Sequence, residues 1–280
     1  VALLIIVGLS YRQTIKAYPK GGGSYIVAID NLGVIPALTA GSALLFGYVV
    51  TVAVSIAAGV AALSSAVPGL RDHRVLLGLG FILLVTVLNL RGIRESGTIF
   101  AVPTYLFLFG IIVMLAIGAE QAAMQGFVPR PPTVGADELT HATQSVGILL
   151  ILTAFSRGCA ALTGVEAISD GVPAFKPPEW KNARTTLTWM IGILAVTFAG
   201  ITFLANQFGI VPKEQDYPGG YETVVSQIAR TVFGGATIPY YYIQFATLAI
   251  LILAANTAYS DFPRLAYFLA RDRFLPKQYT

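Results

Sequence analysis

Three ionisable residues, Arg157, Glu166 and Asp170, fall inside one long apolar block of this chain. An ion at bilayer depth is costly and marks a functional position by default. Glu166 follows Gly164, where a helix break is expected, so it should lie near the N-terminus of a second half-helix. Free N–H groups and the helix dipole favour an anion there. Such a carboxylate can ligate a cation, carry a proton, or only cap and lock the break. Thr163 adds a hydroxyl beside loosened carbonyls, the oxygen ligation an alkali cation accepts as it loses water. The same hydroxyl could instead bond back to its own helix. Arg157 does not lose its charge and would repel a cation beside it. It is expected to snorkel outward or pair with Glu166, in a gating or coupling role. Asp170 is expected to be solvated, or paired with Lys176 or Arg184.

Two further groups of polar residues sit in apolar surroundings. Tyr48, Thr51 and Ser55 are spaced i, i+3, i+7, so they share one helix face while Val50, Val52, Val54 and Ile56 cover others. That stripe can line a pathway, or serve only to hydrogen-bond neighbouring helices. Asn256, Thr257, Ser260 and Asp261 gather just before Pro263 and read as gate or secondary-ion residues. Enzyme signatures are missing: His73 and His141 lie in loops, there is no H-E-x-x-H or G-x-S-x-G, and GGGS at Gly21 to Ser24 lacks the Lys of a phosphate-binding loop. No enzymatic activity and no cofactor are expected.

Only a membrane-embedded frame can position these residues. Of the chain, 55% is hydrophobic and 11% charged, against about 25% charged in soluble domains. Spans of about 20 apolar residues are expected over 33 to 66, 74 to 92, 97 to 119, 143 to 171, 185 to 208 and 237 to 260, with the end of another at about 1 to 10. The block 143 to 171 should be broken, because Gly158, Cys159, Ala160, Ala161 and Gly164 interrupt it with small residues. Backbone freed there must line a polar cavity. Pro103 is assigned to a helix start or kink. Alternate loops hold 12 and 5 basic residues, with Arg157 in a span, which assigns the segment 11 to 32 and the C-terminal end to the cytoplasm. The one cysteine, Cys159, can form no internal disulfide. Both ends read as cut, so 1 to 280 is expected to be a single transmembrane core, truncated at each end.

The motifs AYPKGGGSY (17 to 25), ALTGVEAISDGVPAF (161 to 175), KPPEWKNAR (176 to 184) and AANTAYSDFPRL (254 to 265) together resemble the amino acid-polyamine-organocation (APC) permeases, most of all the KimA-type potassium importers. The resemblance covers nearly the whole chain. It implies an all-α integral membrane protein with the LeuT-like inverted-repeat fold, this chain matching the end of helix 2 through helix 8. It also implies a potassium site to which Tyr48, Thr51, Ser55, Thr163 and Glu166 contribute. Two positions depart from the pattern: Gly47 stands where an Asp is carried, and Arg157 brings a positive charge to the broken helix.

The expected function is therefore secondary active transport across the bacterial inner (plasma) membrane, coupled to H+, with potassium as substrate. An amino acid stands as the alternative, because the stretch from Gly158 to Gly164 offers N–H groups suited to a carboxylate and Gly47 leaves room. A channel would need a pore ring repeated by symmetry, and a non-transporting sensor a soluble output domain. The expected partners are a small solute, membrane lipid and a second copy of the chain in a homodimer. No nucleic acid is expected.

Overall fold

The computed structural model describes residues 1–19, 21, 23–91, 97–132, 147–159, 163–212 and 222–279, without side chains at 97–99, 154, 157–159 and 163. Its helices are α1 (Ala2–Ala17), α2 (Gly23–Leu32), α3 (Val34–Ala66), α4 (Arg74–Leu90), α5 (Gly97–Met124), α6 (Ile148–Cys159), α7 (Thr163–Asp170), α8 (Glu179–Gln207), α9 (Val224–Val232) and α10 (Ile238–Arg271). Short 3-10 turns cover Pro68–His73, Val172–Ala174 and Lys277–Tyr279. Among the described residues, five helical stretches are long and apolar enough to cross a bilayer: Val34–Ala66, Pro68–Leu90, Phe100–Met124, Glu179–Gln207 and Ile238–Arg271. Large apolar side chains such as Leu76, Leu79, Phe109, Ile112, Trp189 and Val196 are exposed on them. Lipid is the solvent that accepts such surface.

The block 143 to 171 resolves into α6 and α7. At about 1.5 Å per residue, neither α6 nor α7 is long enough to cross a hydrocarbon core of about 30 Å. The helix persists through Gly158 and Cys159 and has resumed at Thr163, so the expected unwinding from Gly158 to Gly164 is not seen at either edge; residues 160–162 lie outside the described residues. The segment 11 to 32, expected as a loop, is mostly helix. Gly21 lies between α1 and α2, and Gly23 is the first residue of α2. Pro103 lies inside α5 and Pro263 inside α10.

The chain forms two compact units. The first comprises Val1–Tyr48, Thr140–Phe198 and Ser260–Thr280; the second comprises Val49–Leu139 and Ala199–Tyr259. In the first, α1 and α2 pack on α7, and its core joins Leu4 and Ile15 of α1, Val165 of α7, Val172, and Ala183 and Leu187 of α8. Tyr25 Oη of α2 donates to Asp272 Oδ2 at 2.9 Å, tying α2 to the segment just after α10. Burial and the Asp272 carboxylate push the Tyr25 phenol upward, so it remains a donor at physiological pH.

The second unit is centred on Ile111 and Met114 of α5, Leu204 of α8 and Phe208 just after it, Ile228 and Val232 of α9, and Tyr240 and Ile243 of α10. Thr223 caps α9 by accepting the Ser226 N–H at 3.2 Å. Tyr240, fully buried, donates from Oη to the Ser65 carbonyl at 3.0 Å, receives Arg230 Nη2 at 3.1 Å and lies 2.9 Å from Ser226 Oγ. Tyr240→Phe leaves that carbonyl without its donor, and is expected to cost about 1–3 kcal/mol. Thermal unfolding in detergent checks this against Tyr241→Phe, an exposed neighbour that should change little.

Candidate functional site

Glu166 and Asp170 are one helical turn apart on α7, so both carboxylates project from one face. That face meets the start of α2. Glu166 Oε1 accepts the Ser24 backbone N–H at 2.7 Å, and Oε2 accepts Ser24 Oγ at 3.1 Å. The Tyr11 hydroxyl of α1 also donates to Glu166 Oε2, and lies 2.8 Å from Ser24 Oγ. Glu166 thus satisfies an N-terminal amide of α2, which a helix leaves without an internal partner, and fastens α1, α2 and α7 together.

The approach is close enough to dictate residue type. At Gly23 a Cβ would overlap Asp170 Oδ1 and Glu166 Oε1 at once, and at Gly21 it would press on the Asp170 carbonyl oxygen. Both glycines have positive φ, +47° and +76°, which other residues rarely adopt. Gly23 of AYPKGGGSY therefore lets the backbone lie against two carboxylates, and Gly21 lets it pass the end of α7.

Asp170 differs from the expected arrangement. It is buried, 7% exposed, and its partner is neither Lys176 nor Arg184. Its Oδ2 accepts the Tyr48 hydroxyl of α3 at 2.9 Å, while Oδ1 is buried with no hydrogen-bond partner among the described residues. The reason is position: α7 ends at Asp170 against α2 and α3, not in water. A cavity of about 500 Å³ adjoins it, lined by Asp170, Gly171, Pro173, Pro263, Arg264 and Tyr267 among others. Arg264 Nη1 pairs there with Asp261 Oδ1 at 3.3 Å.

Of the residues singled out from sequence, Tyr48 and Glu166 belong to this cluster. Thr51 and Ser55 continue the Tyr48 stripe along α3 but fall in the second unit, Ser55 buried and Thr51 half-buried. Gly164 is exposed near the start of α7, with Met190 as its near neighbour. The side chains of Arg157, Cys159 and Thr163, and the surroundings of Gly158, lie outside the described residues. In the second unit, Asn256 Oδ1 accepts Asn89 Nδ2 at 2.8 Å, joining α10 to α4 beside the Thr86 to Tyr259 hydroxyl pair at 2.7 Å. Thr257 is exposed and bonds back to the Leu253 and Ala254 carbonyls. Sequence reasoning missed Tyr11, Ser24 and the two glycines. The signal was the glycine run itself, which has no purpose in an ordinary loop.

Long helices that expose apolar side chains, with buried carboxylates on α7, mark a multi-pass membrane protein. A family model described as amino acid permease matches residues 1–280, and the chain belongs to that family, a group of transporters with the LeuT-like (APC) fold in the bacterial plasma membrane. It is 49% identical over 280 residues to the potassium transporter KimA of Bacillus subtilis (strain 168), an alignment covering 99% of this chain and 44% of that relative. The chain thus spans less than half the length of that relative.

Proposed function

We propose that the chain forms part of a secondary transporter that brings potassium into the cell, coupled to protons. The observation that carries this reading is the 49% identity, over almost the whole chain, to a protein described as a potassium transporter. The chemistry supports it within the first unit, where Tyr48 and Glu166 carry buried oxygen; ligand roles for Thr51, Ser55 and Thr163, and for the backbone at Gly158, Cys159 and Gly164, follow from the resemblance alone. Glu166 carries the proton, while Arg157, Asn256 and Thr257 act in gating and coupling. Transport proceeds by rocking one helical bundle about a site near the bilayer midplane. The solute crosses the membrane through the protein, with no chemical conversion and no resident cofactor; the protein acts alone or as a homodimer.

Uptake of an amino acid is the second reading. The family description favours it, and at Gly47 no side chain among the described residues stands within 4 Å of where its Cβ would be. The same space lets Gly47→Asp be tolerated. The test is growth of potassium-uptake-deficient bacteria on low potassium, carrying the natural protein that contains this sequence. Growth with saturable potassium uptake is expected, and Gly47→Asp should lower the potassium concentration needed for half-maximal uptake. Failure to grow, with uptake of labelled amino acids by the same cells, selects the second reading.

A further inference from the structure

We infer that Asp170 is a positioning residue that makes Tyr48 a cation ligand and denies it to a carboxylate. The inference deepens the potassium reading above and rests on it. Tyr48 and Asp170 are each 7% exposed, and the phenol proton is committed to Asp170 Oδ2 at 2.9 Å. A phenol has one proton to give but retains lone pairs when that proton is engaged. Bonded to a carboxylate, its oxygen becomes more negative and a better ligand, because hydrogen bonds in a low-dielectric setting polarise one another.

An amino acid carboxylate arriving at Tyr48 meets the opposite situation. It needs a donor and finds none, since the proton is already held. The carboxylate of Asp170 behind the phenol adds repulsion, and its Oδ1 has no hydrogen-bond partner among the described residues. Discrimination of this kind, between a solute that supplies positive charge and one that requires a donor, is the strong form of selectivity. Buried polar groups left without partners penalise the wrong solute.

The surroundings keep Asp170 on this task. Glu166, on the same face of α7, is occupied by Ser24 and Tyr11. Arg264, which lines the cavity beside Asp170, pairs with Asp261. No basic side chain among the described residues bonds Asp170, so its strongest attachment is Tyr48.

The experiment measures potassium uptake kinetics, and inhibition of that uptake by a mixture of amino acids, in cells carrying the natural protein or its Asp170→Asn, Asp170→Glu, Tyr48→Phe and doubly substituted Asp170→Asn/Tyr48→Phe forms. Accumulation in the membrane is checked for each. Asp170→Asn is expected to raise KM for potassium about tenfold with maximal rate changed less than twofold, and Tyr48→Phe to do the same. The double form should be no worse than either single one, because both act through one ligand. Asp170→Glu should recover part of the affinity, and amino acids should inhibit Asp170→Asn more than the unsubstituted protein. An unchanged KM in Asp170→Asn, or losses that multiply in the double form, overturns the assignment. A maximal rate that collapses at unchanged KM also does so, since it marks a purely structural part. If the unsubstituted protein takes up no potassium, the transport reading fails first and this assignment falls with it.

Discussion

Glu166→Ala is expected to abolish uptake and to lower the thermal unfolding midpoint of the purified protein by several degrees. The substitution removes the acceptor for the Ser24 N–H, the Ser24 hydroxyl and the Tyr11 hydroxyl at one stroke. Hydrogen bonds to a charged acceptor contribute about 1.5–3 kcal/mol each. They share one carboxylate and so are not additive, which puts the loss on the order of 3 kcal/mol. Because those donors come from α1 and α2, the start of α2 should detach from α7. Glu166→Gln separates the two roles of this side chain. Its amide oxygen retains part of the fastening, so the variant should accumulate, whereas an amide cannot carry a proton. Uptake by Glu166→Gln should therefore no longer depend on pH, with potassium exchange preserved. Uptake measured across a pH series reads this directly. A pH dependence like that of the unsubstituted protein would leave Glu166 as a fastening alone.

Gly23→Ala is expected to be the most damaging single methyl in the first unit. The new Cβ would have to share space with Asp170 Oδ1 and Glu166 Oε1. Neither oxygen can retreat cheaply, because Asp170 is bonded to Tyr48 and Glu166 to Ser24. To this is added about 1–2 kcal/mol for holding alanine in the left-handed region that φ of +47° requires. The protein should accumulate poorly and unfold at a clearly lower temperature. Gly47→Ala is the control. It too adds one methyl to a glycine, but lies inside α3 with no atom within 4 Å of the new carbon. There alanine is favoured over glycine by about 1 kcal/mol, so stability should hold or rise. Equal behaviour of the two variants would mean that α2 does not pack on the α7 carboxylates as described.

The parts of this architecture that depend on counting apolar residues could be read from the sequence. Val34–Ala66, Glu179–Gln207 and Ile238–Arg271 each contain an apolar stretch long enough to cross a bilayer. Their ends were less legible: α8 begins at Glu179 and α10 runs through Pro263 to Arg271, because helices extend beyond the hydrocarbon where side-chain partners such as Asp261 and Arg264 support them. The cluster around α7 was half legible. Glu166 stood out because a carboxylate in an apolar block is conspicuous, and Tyr48 because of its spacing with Thr51 and Ser55. Asp170 reads from sequence as solvated or paired with Lys176 or Arg184 but is buried against Tyr48, since its burial depends on how α2 and α3 close over the end of α7, which no local pattern encodes. Tyr11 and Ser24 were invisible for the same reason: their partner is more than 140 residues away in the chain. The glycine run lacks the Lys of a phosphate loop, and its use at Gly23, the close approach of backbone to carboxylate, is visible only once both sides are in place.

The most direct test of the account is uptake of radioactive rubidium, a potassium substitute, by liposomes containing the purified natural protein under an inward proton gradient. Unlabelled potassium and a mixture of amino acids serve as competitors. The account predicts saturable uptake that potassium suppresses, amino acids leave unchanged, and Glu166→Ala eliminates. Uptake of labelled amino acids that potassium does not affect, with no rubidium accumulation, would contradict it.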